Sequence, residues 1–480
     1  MARNRATLSP GSTPDRPNIL WIGVDQMRYD TPGCYGNPIC TTPHIDRLAS
    51  EGVVFTNAYT PCSLCTPARA SMFTGFYAFK HGMGTNCDMY HALASELPNP
   101  ESLLHHRLKA LGYRCGYAGK WHAGTRLGPV DHGFEGMNLP GYGDLKQEPG
   151  FQRYLQENDL TYGPVQDPIY GNPGQKTLLA GRWNGPVEST PTYYLTDYTV
   201  RLLDRFAAEG QPFFLTCQFW GPHPPYLPSP ELAGWHDRRA IPPWINFDDD
   251  HQGKPESVRR CRANFYRLLP DEWSDWQEIV GLYYDFTVLV DAQIGRILAR
   301  LDQLGLAEDT LVIFVSDHGD MIGSHGGLFD KGFMYEEAHR VPLIVRWPAR
   351  FRSSTKRSEL VYNMDLMPTI LDILGQPDES LDGQSLLPYL EGTPAPGGDR
   401  QAIYLEFHGL RYLYSQRALV TRDGYKYIFT PGDQDEVYDL NQDPGELRNL
   451  VEVEAYQEKV ESLRWQLMQT AAQVGDPIRD

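Results

Sequence analysis

The chain has 480 residues, 41% hydrophobic and 22% charged, and 61 acidic residues against 43 basic ones leave a formal net charge of −18. That length exceeds what one simple core supports, so a large domain plus a smaller one is expected. The negative balance excludes nucleic acid and anionic membrane surfaces as main partners, and an anionic small substrate would need a local cationic pocket.

Met1 to Pro17 carries Arg, Pro, Gly and Ser without an apolar stretch, unlike a secretory signal, so a cytoplasmic, bacterial-type chain is expected. Nothing approaches the ~18 consecutive apolar residues of a membrane span. Asn18–Val24 reads as a buried strand, Pro43–Glu51 as a helix and Val53–Ala58 as a second strand. Thr66–Thr74 reads as a helix with Pro67 in its first turn, where a missing N–H costs nothing. The helix Leu103–Leu111 feeds the strand Arg114–Ala118, and Tyr193–Ala208 feeds Phe213–Phe219. A long helix over Trp276–Leu304 feeds Leu311–Val315, followed by the strand Val341–Arg346 and the helix Leu366–Leu374. This alternation predicts an α/β fold, a large mainly parallel sheet between helices. Gly141–Pro191 and Pro222–Ser274 lack periodicity and read as long irregular insertions. From residue 384 the pattern changes: short antiparallel strands at Ile403–Glu406, Ser415–Thr421 and Tyr425–Thr430, then a terminal helix Glu454–Gln473. Two domains follow, 1–383 and a smaller α+β unit at 384–480 with an antiparallel sheet. The eight cysteines are dispersed and read as buried thiols of a reducing compartment.

The chemistry gathers at strand ends, where ligands bind in open α/β sheets. Asp25-Gln26 ends the first strand, Gly119-Lys120-Trp121-His122 another, Pro222-His223-Pro224 a third and Asp317-His318-Gly319 a fourth. Asp25 and Asp317 offer anionic oxygens, Gln26 a neutral one and His318 a nitrogen; with an oxygen at a modified Cys65 they would surround one divalent cation. Mostly oxygen donors favour Ca²⁺ or Mg²⁺, and the histidine leaves Mn²⁺ open. Leu64-Cys65-Thr66-Pro67-Ala68-Arg69 sets a cysteine at fixed offsets from a proline and an arginine, the pattern that formylglycine-generating machinery reads. Cys65 would then stand at the positive end of a helix, with Arg69 one turn on and able to hydrogen-bond the hydrated aldehyde. Lys120 and Lys331 are candidates to bind anionic oxygens, and His122 and His223 to transfer protons. The competing reading of Cys62-Ser-Leu-Cys65 as a redox or zinc motif lacks further ligands and leaves Arg69, Lys120 and Asp317 unexplained. A non-catalytic binding relative would not be expected to keep the whole set.

Taken in order, these motifs resemble the type I, formylglycine-dependent sulfatases of the alkaline phosphatase superfamily over nearly the whole chain. The Val437-Tyr-Asp-Leu-Asn-Gln-Asp-Pro444 run is also typical of that family. The resemblance implies a sulfuric ester hydrolase using a 3-oxoalanine (formylglycine) made from Cys65. Asp25, Gln26, Cys65, Asp317 and His318 would be its metal ligands, Ca²⁺ first among the ions. The hydrate would attack sulfur, His223 would protonate the leaving oxygen, and His122 would act as the base that restores the aldehyde. Asp25-Gln26 and Asp317-His318 stand where many members have Asp-Asp and Asp-Asn; these variants look more like choline sulfatases and phosphonate monoester hydrolases, which are oligomeric. Asn86 matches a substrate-contacting asparagine of that branch, whereas the Lys120-x-His122 pair favours sulfate. Expected partners are a small-molecule or glycan sulfate ester, the formylglycine-generating enzyme during maturation and a second copy of the chain. The alternative is a phosphonate monoester or phosphodiester hydrolase with the same site. The aromatic segments Tyr162–Trp183 and Trp235–Trp276, and His408, are candidates to shape the alcohol pocket.

Overall fold

Every residue from Ile19 to Asp25 is buried: Ile19 and Trp21 belong to one hydrophobic cluster, and Leu20, Ile22 and Val24 to another. Side chains alternate across a strand, so a strand apolar at both parities has packing on both faces and sits in the middle of a covered sheet. The computed structural model describes residues 16–172, 177–410 and 413–478, so most of the Met1–Pro17 segment lies outside it. In chain order its strands are β1 (Asn18–Asp25), β2 (Val53–Tyr59), β3 (Arg114–Gly119), β4 (Glu135–Gly136), β5 (Val165–Asn172), β6 (Thr177–Trp183), β7 (Phe213–Pro222), β8 (Thr310–Ser316), β9 (Arg340–Arg346), β10 (Thr355–Arg357), β11 (Val361–Tyr362), β12 (Ala402–Leu410), β13 (Leu413–Thr421), β14 (Tyr425–Phe429) and β15 (Glu436–Asp439).

The main sheet runs β10-β2-β9-β8-β1-β7-β3-β4, with β11 also beside β2. Its pairs are parallel except those of β9, which runs antiparallel to both β8 and β2. The large α/β sheet is therefore mainly parallel, as the sequence predicts. Buried faces of the helices Pro191–Glu209 and Trp273–Gln303 cover one side through Leu195, Leu203, Ile294 and Ile297, and Leu366–Ile373 packs on the other through Ile370 and Leu371. The strands β12-β13-β14-β15 form the second, antiparallel sheet. The helix Gln457–Val474 lies on it, burying Leu463, Leu467 and Ala471.

The segment Gly141–Pro191 departs from the expectation of irregularity. It holds a helix, Pro149–Glu157, whose N-terminus is capped by Glu148 accepting from Phe151 N, and the hairpin β5–β6. Its strands escape a period-two reading because the pairing slips three times between Gln166 and Asn172 and Pro168 interrupts β5. No disulfide joins any of the eight cysteines, and only Cys34 is less than buried. No helix among the described residues is long and apolar enough to cross a membrane.

Candidate active site

The four motif-bearing strands are neighbours. β8, β1, β7 and β3 lie side by side and parallel, so Asp317-His318, Asp25-Gln26, His223 and Lys120-His122 leave the sheet at one carboxyl edge. Sharp backbone bends aim them. Gln26 and His122 have φ of 62° and 52°, a left-handed conformation that non-glycine residues keep only where surrounding contacts enforce it. Gly119 has φ 104°, and a Cβ there would lie 2.0 Å from Gln218 O, so no other residue fits.

The helix Cys65–Thr74, buried at all ten positions, points its N-terminus at this edge. It begins at Cys65, one residue earlier than expected, which brings the cysteine into the first turn. Leu64 offers no side-chain cap. Asn86 supplies one from a distance, its Oδ1 accepting from Thr66 N at 3.0 Å. The orphan N–H groups and the helix dipole thus face the space around Cys65.

Asp25, Cys65, Asp317 and His318 are all buried, and each offers a ligand atom within 4.8 Å of the others. His318 Nε2 is 3.2 Å from Cys65 Sγ and 3.7 Å from Asp25 Oδ1. Its Nδ1 lies 2.9 Å from Gly319 O, which assigns the proton to Nδ1 and turns the Nε2 lone pair inward. Two carboxylates, an imidazole and position 65 make a donor set that fits a divalent cation. Gln26 is placed differently. Its backbone N donates to Asp317 Oδ1 at 3.0 Å, but its side-chain Oε1 accepts from Lys331 Nζ at 2.7 Å. Lys331 therefore holds the Gln26 carbonyl oxygen at the side of the four-residue group.

Arg69 also differs from expectation. Its guanidinium spans the two carboxylates, Nε 3.0 Å from Asp317 Oδ2 and Nη2 3.5 Å from Asp25 Oδ2, with Nη1 on Lys120 O at 3.0 Å. It fixes candidate ligands. Lys120 is ion-paired with Asp25 Oδ2 and sits 4.0 Å from the centre of the Tyr142 ring. Burial and Cys65 would raise the Asp25 carboxyl, but Lys120, His223 and Arg69 win and lower it to about 2. Burial would also raise the Cys65 thiol, yet Lys120, Lys331 and His318 pull it well below its ordinary range. Burial opposes protonation of His318, and Asp317 and Cys65 override it and raise the imidazole to about 9. A cation in the site would take over that positive charge, since a ligating imidazole is neutral.

The two remaining histidines flank the group. His223 Nδ1 lies 2.6 Å from Pro224 O and its Nε2 2.7 Å from Lys331 Nζ. The ring is thereby Nδ1-protonated, with Nε2 accepting from the lysine. His122 Nε2 stands 3.1 Å from Asp88 Oδ1, and its side chain also reaches Cys65. Tyr142 joins the two, its hydroxyl 3.2 Å from His223 Nδ1 and its ring edge-on to His122. Beside Tyr142 and His223 opens a cavity of about 350 Å³ walled by Tyr162, Trp183, Trp220 and Phe286. Of the two aromatic segments singled out in the sequence, Tyr162 and Trp183 of the first line this cavity, and no residue of Trp235–Trp276 does. His408 is instead held by Glu406 at 2.8 Å and does not line this cavity. Sequence reasoning misses Asp88, Tyr142 and Gln218, whose Oε1 accepts from Arg69 Nη1 at 3.2 Å. Tyr142 sits in a Gly-rich stretch without periodicity, and no spacing rule ties any of the three to its partner.

A family model described as Sulfatase matches residues 17–376, and one described as N-sulphoglucosamine sulphohydrolase, C-terminal, matches residues 323–473. Arylsulfatase A of Homo sapiens is 30% identical, the match covering 91% of this chain and 83% of that protein. The N-acetylglucosamine-6-O-sulfatase of Bacteroides thetaiotaomicron is 25% identical over 96% of this chain and 87% of its own length. Among solved structures, the phosphonate monoester hydrolase of Agrobacterium radiobacter superposes with a TM-score of 0.78 at 24% identity, covering 96% of both chains, a likeness of fold.

Proposed function

From the premise that this chain belongs to the sulfatase family, we propose that it hydrolyses a sulfate monoester, with Cys65 converted to formylglycine and one divalent cation, Ca²⁺ first, held by Asp25, Asp317, His318 and residue 65. The observation that carries this is the convergence of those four buried residues within 4.8 Å at the N-terminus of a buried helix. When present, the hydrated aldehyde supplies an oxygen nucleophile and the cation polarises the sulfate.

The chain's own residues do the rest. Lys331, the helix N-terminus and Lys120 set positive charge where the non-bridging sulfate oxygens gain negative charge, and such preorganised charge is commonly the largest part of catalysis. Arg69 keeps the two carboxylates apart and aligned. Cleaving the S–O bond leaves an alkoxide that needs a proton. His223, protonated at Nε2 in the substrate complex, delivers it to the leaving oxygen, while Lys331 Nζ, 2.7 Å away, keeps its own charge for the sulfate oxygens. His122, oriented by Asp88, takes the hydroxyl proton at residue 65 on the opposite side. The alcohol portion occupies the aromatic cavity beside His223, and glycan or small-molecule esters both fit that description. Asn86 acts through its cap on Thr66, holding the nucleophile's turn.

Mass spectrometry of the peptide spanning residue 65, from protein coexpressed with a formylglycine-generating enzyme, tests the modification: sulfur and two hydrogens exchanged for one oxygen is the expected change. Then kcat/KM is compared on an aryl sulfate and an aryl phosphonate monoester. The sulfate should be preferred; a preference for the phosphonate would move the assignment to the related hydrolase class.

A further inference from the structure

A second set of buried ligand-type residues lies away from Cys65, between the main sheet and the C-terminal one. His325, Glu337 and Glu446 are buried, and each turns one ligand atom toward the other two, all within 4.8 Å. Those inner atoms, His325 Nε2, Glu337 Oε2 and Glu446 Oε1, make no hydrogen bond. The outer atoms of the same side chains are all tethered. His325 Nδ1 is 2.8 Å from Asp249 Oδ2, Glu337 Oε1 accepts from Asn246 Nδ2 at 2.7 Å, and Glu446 Oε2 accepts from Glu336 N at 2.8 Å. A carboxylate on the far nitrogen of a histidine, and hydrogen bonds on the far oxygens of carboxylates, are what surround metal ligands in proteins.

Charge points the same way. Among the described residues, Asp249, Glu336, Glu337, Glu436 and Glu446 face two buried lysines, Lys254 and Lys426, and His325, which pairs with Asp249 and Glu337. Arg28 leans on Glu337 but is paired with Asp30, and Arg340 reaches Glu336 only at 4.0 Å. Such a surplus of buried carboxylate needs cations. Lys426 Nζ stands 2.8 Å from Glu446 Oε1 outside hydrogen-bond geometry and has Glu336 Oε1 at 3.2 Å as another partner. It can therefore release Glu446 without losing a counter-charge.

We propose that His325 Nε2, Glu337 Oε2 and Glu446 Oε1 bind a structural divalent transition-metal ion, zinc by its fit, that pins the C-terminal sheet to the catalytic domain. Tetrahedral zinc with bonds of about 2.0–2.1 Å separates its ligands by about 3.3–3.4 Å. His325 Nε2 and Glu337 Oε2 are 3.4 Å apart. Two ligands come from the loop and short helix between β8 and β9, and the third follows β15, so the ion crosses from one sheet to the other. A nitrogen donor with two carboxylates suits zinc better than calcium.

The test uses the full chain, stripped with a chelator, loaded with zinc alone and desalted. It carries Asp317→Asn so that the ion proposed at Cys65 is not counted. Elemental analysis should find one zinc per chain, falling to background in His325→Gln and Glu337→Gln. Zinc content unchanged by both substitutions would overturn the site. Anomalous diffraction from zinc-soaked crystals of the unsubstituted protein, which needs no variant to fold, should place a peak between the three atoms, and its absence there would overturn it equally.

Discussion

Two buried clusters of charge in this molecule are made of the same residue types and differ in what surrounds them. Around Cys65, acidic, basic and imidazole groups meet at the carboxyl edge of the main sheet, beside an aromatic cavity. Around His325 a similar mixture is packed between two sheets, with His325, Lys254, Lys426 and Glu446 each 0% exposed. The first cluster adjoins that cavity through His223 and Tyr142, and no member of the second lines it. Buried charge next to a cavity can bind and transfer; sealed charge can only hold parts together. Substitutions in the first should therefore show in rates, and substitutions in the second in stability.

The sharpest attempt to break that division is Cys65→Ala. It should lower turnover by a factor on the order of 10⁵–10⁶, as loss of a nucleophile does, with an unchanged melting temperature. Residual activity near normal would end the proposed mechanism. Lys426→Met is the counterpart in the sealed cluster. It leaves Glu336 and Glu446 without their lysine, and about 3–5 kcal/mol of stability should disappear in a denaturant titration. The kcat of the remaining folded protein should not change; a matching fall in kcat would show that the clusters are coupled. Lys120→Ala should lower kcat/KM by roughly 10²–10³-fold, and more on sulfate than on phosphonate esters. Because Lys120 pairs with Asp25, it should also weaken cation retention, measurable by chelator titration.

Acid adds a control that belongs to neither cluster. Burial lowers His81 to about 4 and His105 to about 3, whereas an unfolded histidine titrates near ~6.5. The unfolded chain thus binds more protons between those limits. Their contribution is complete above pH ~6.5 and is lost as pH falls toward the folded values, at up to ~1.4 kcal/mol per pH unit per histidine. His105, whose Nε2 is 2.7 Å from His132 O, lies outside both clusters, so His105→Gln should flatten the profile without altering turnover. The smallest effect is assigned to Tyr142→Phe. Loss of its hydroxyl contact to His223 should cost roughly 0.5–1.5 kcal/mol, or up to about tenfold in kcat, with little change in the melting curve.

Much of the active-site cluster is legible in the amino-acid sequence because each part is local. Asp317 and His318 are consecutive, Lys120 and His122 are two apart, and all follow strands marked by apolar runs. Contacts that cross the fold are where such reading goes astray. Local spacing pairs Arg69 with the cysteine four residues before it, whereas two carboxylates from different strands claim its guanidinium. Residue type makes Gln26 a cation ligand, yet Lys331, more than three hundred residues away, takes its side-chain oxygen. The hairpin β5–β6 escapes notice because its pairing slips break the alternation that identifies strands.

The α/β alternation, the cysteine at the head of a helix and the residue types at each strand end are written in the chain itself, since hydrophobic period and short motifs are properties of sequence neighbours. The order of β8, β1, β7 and β3, which turns four separate motifs into one site, exists only in the folded molecule. So does the meeting of His325, Glu337 and Glu446. Strand order and long-range contacts follow from how whole faces pack, and that packing free energy is spread over the entire chain, so no short stretch encodes it.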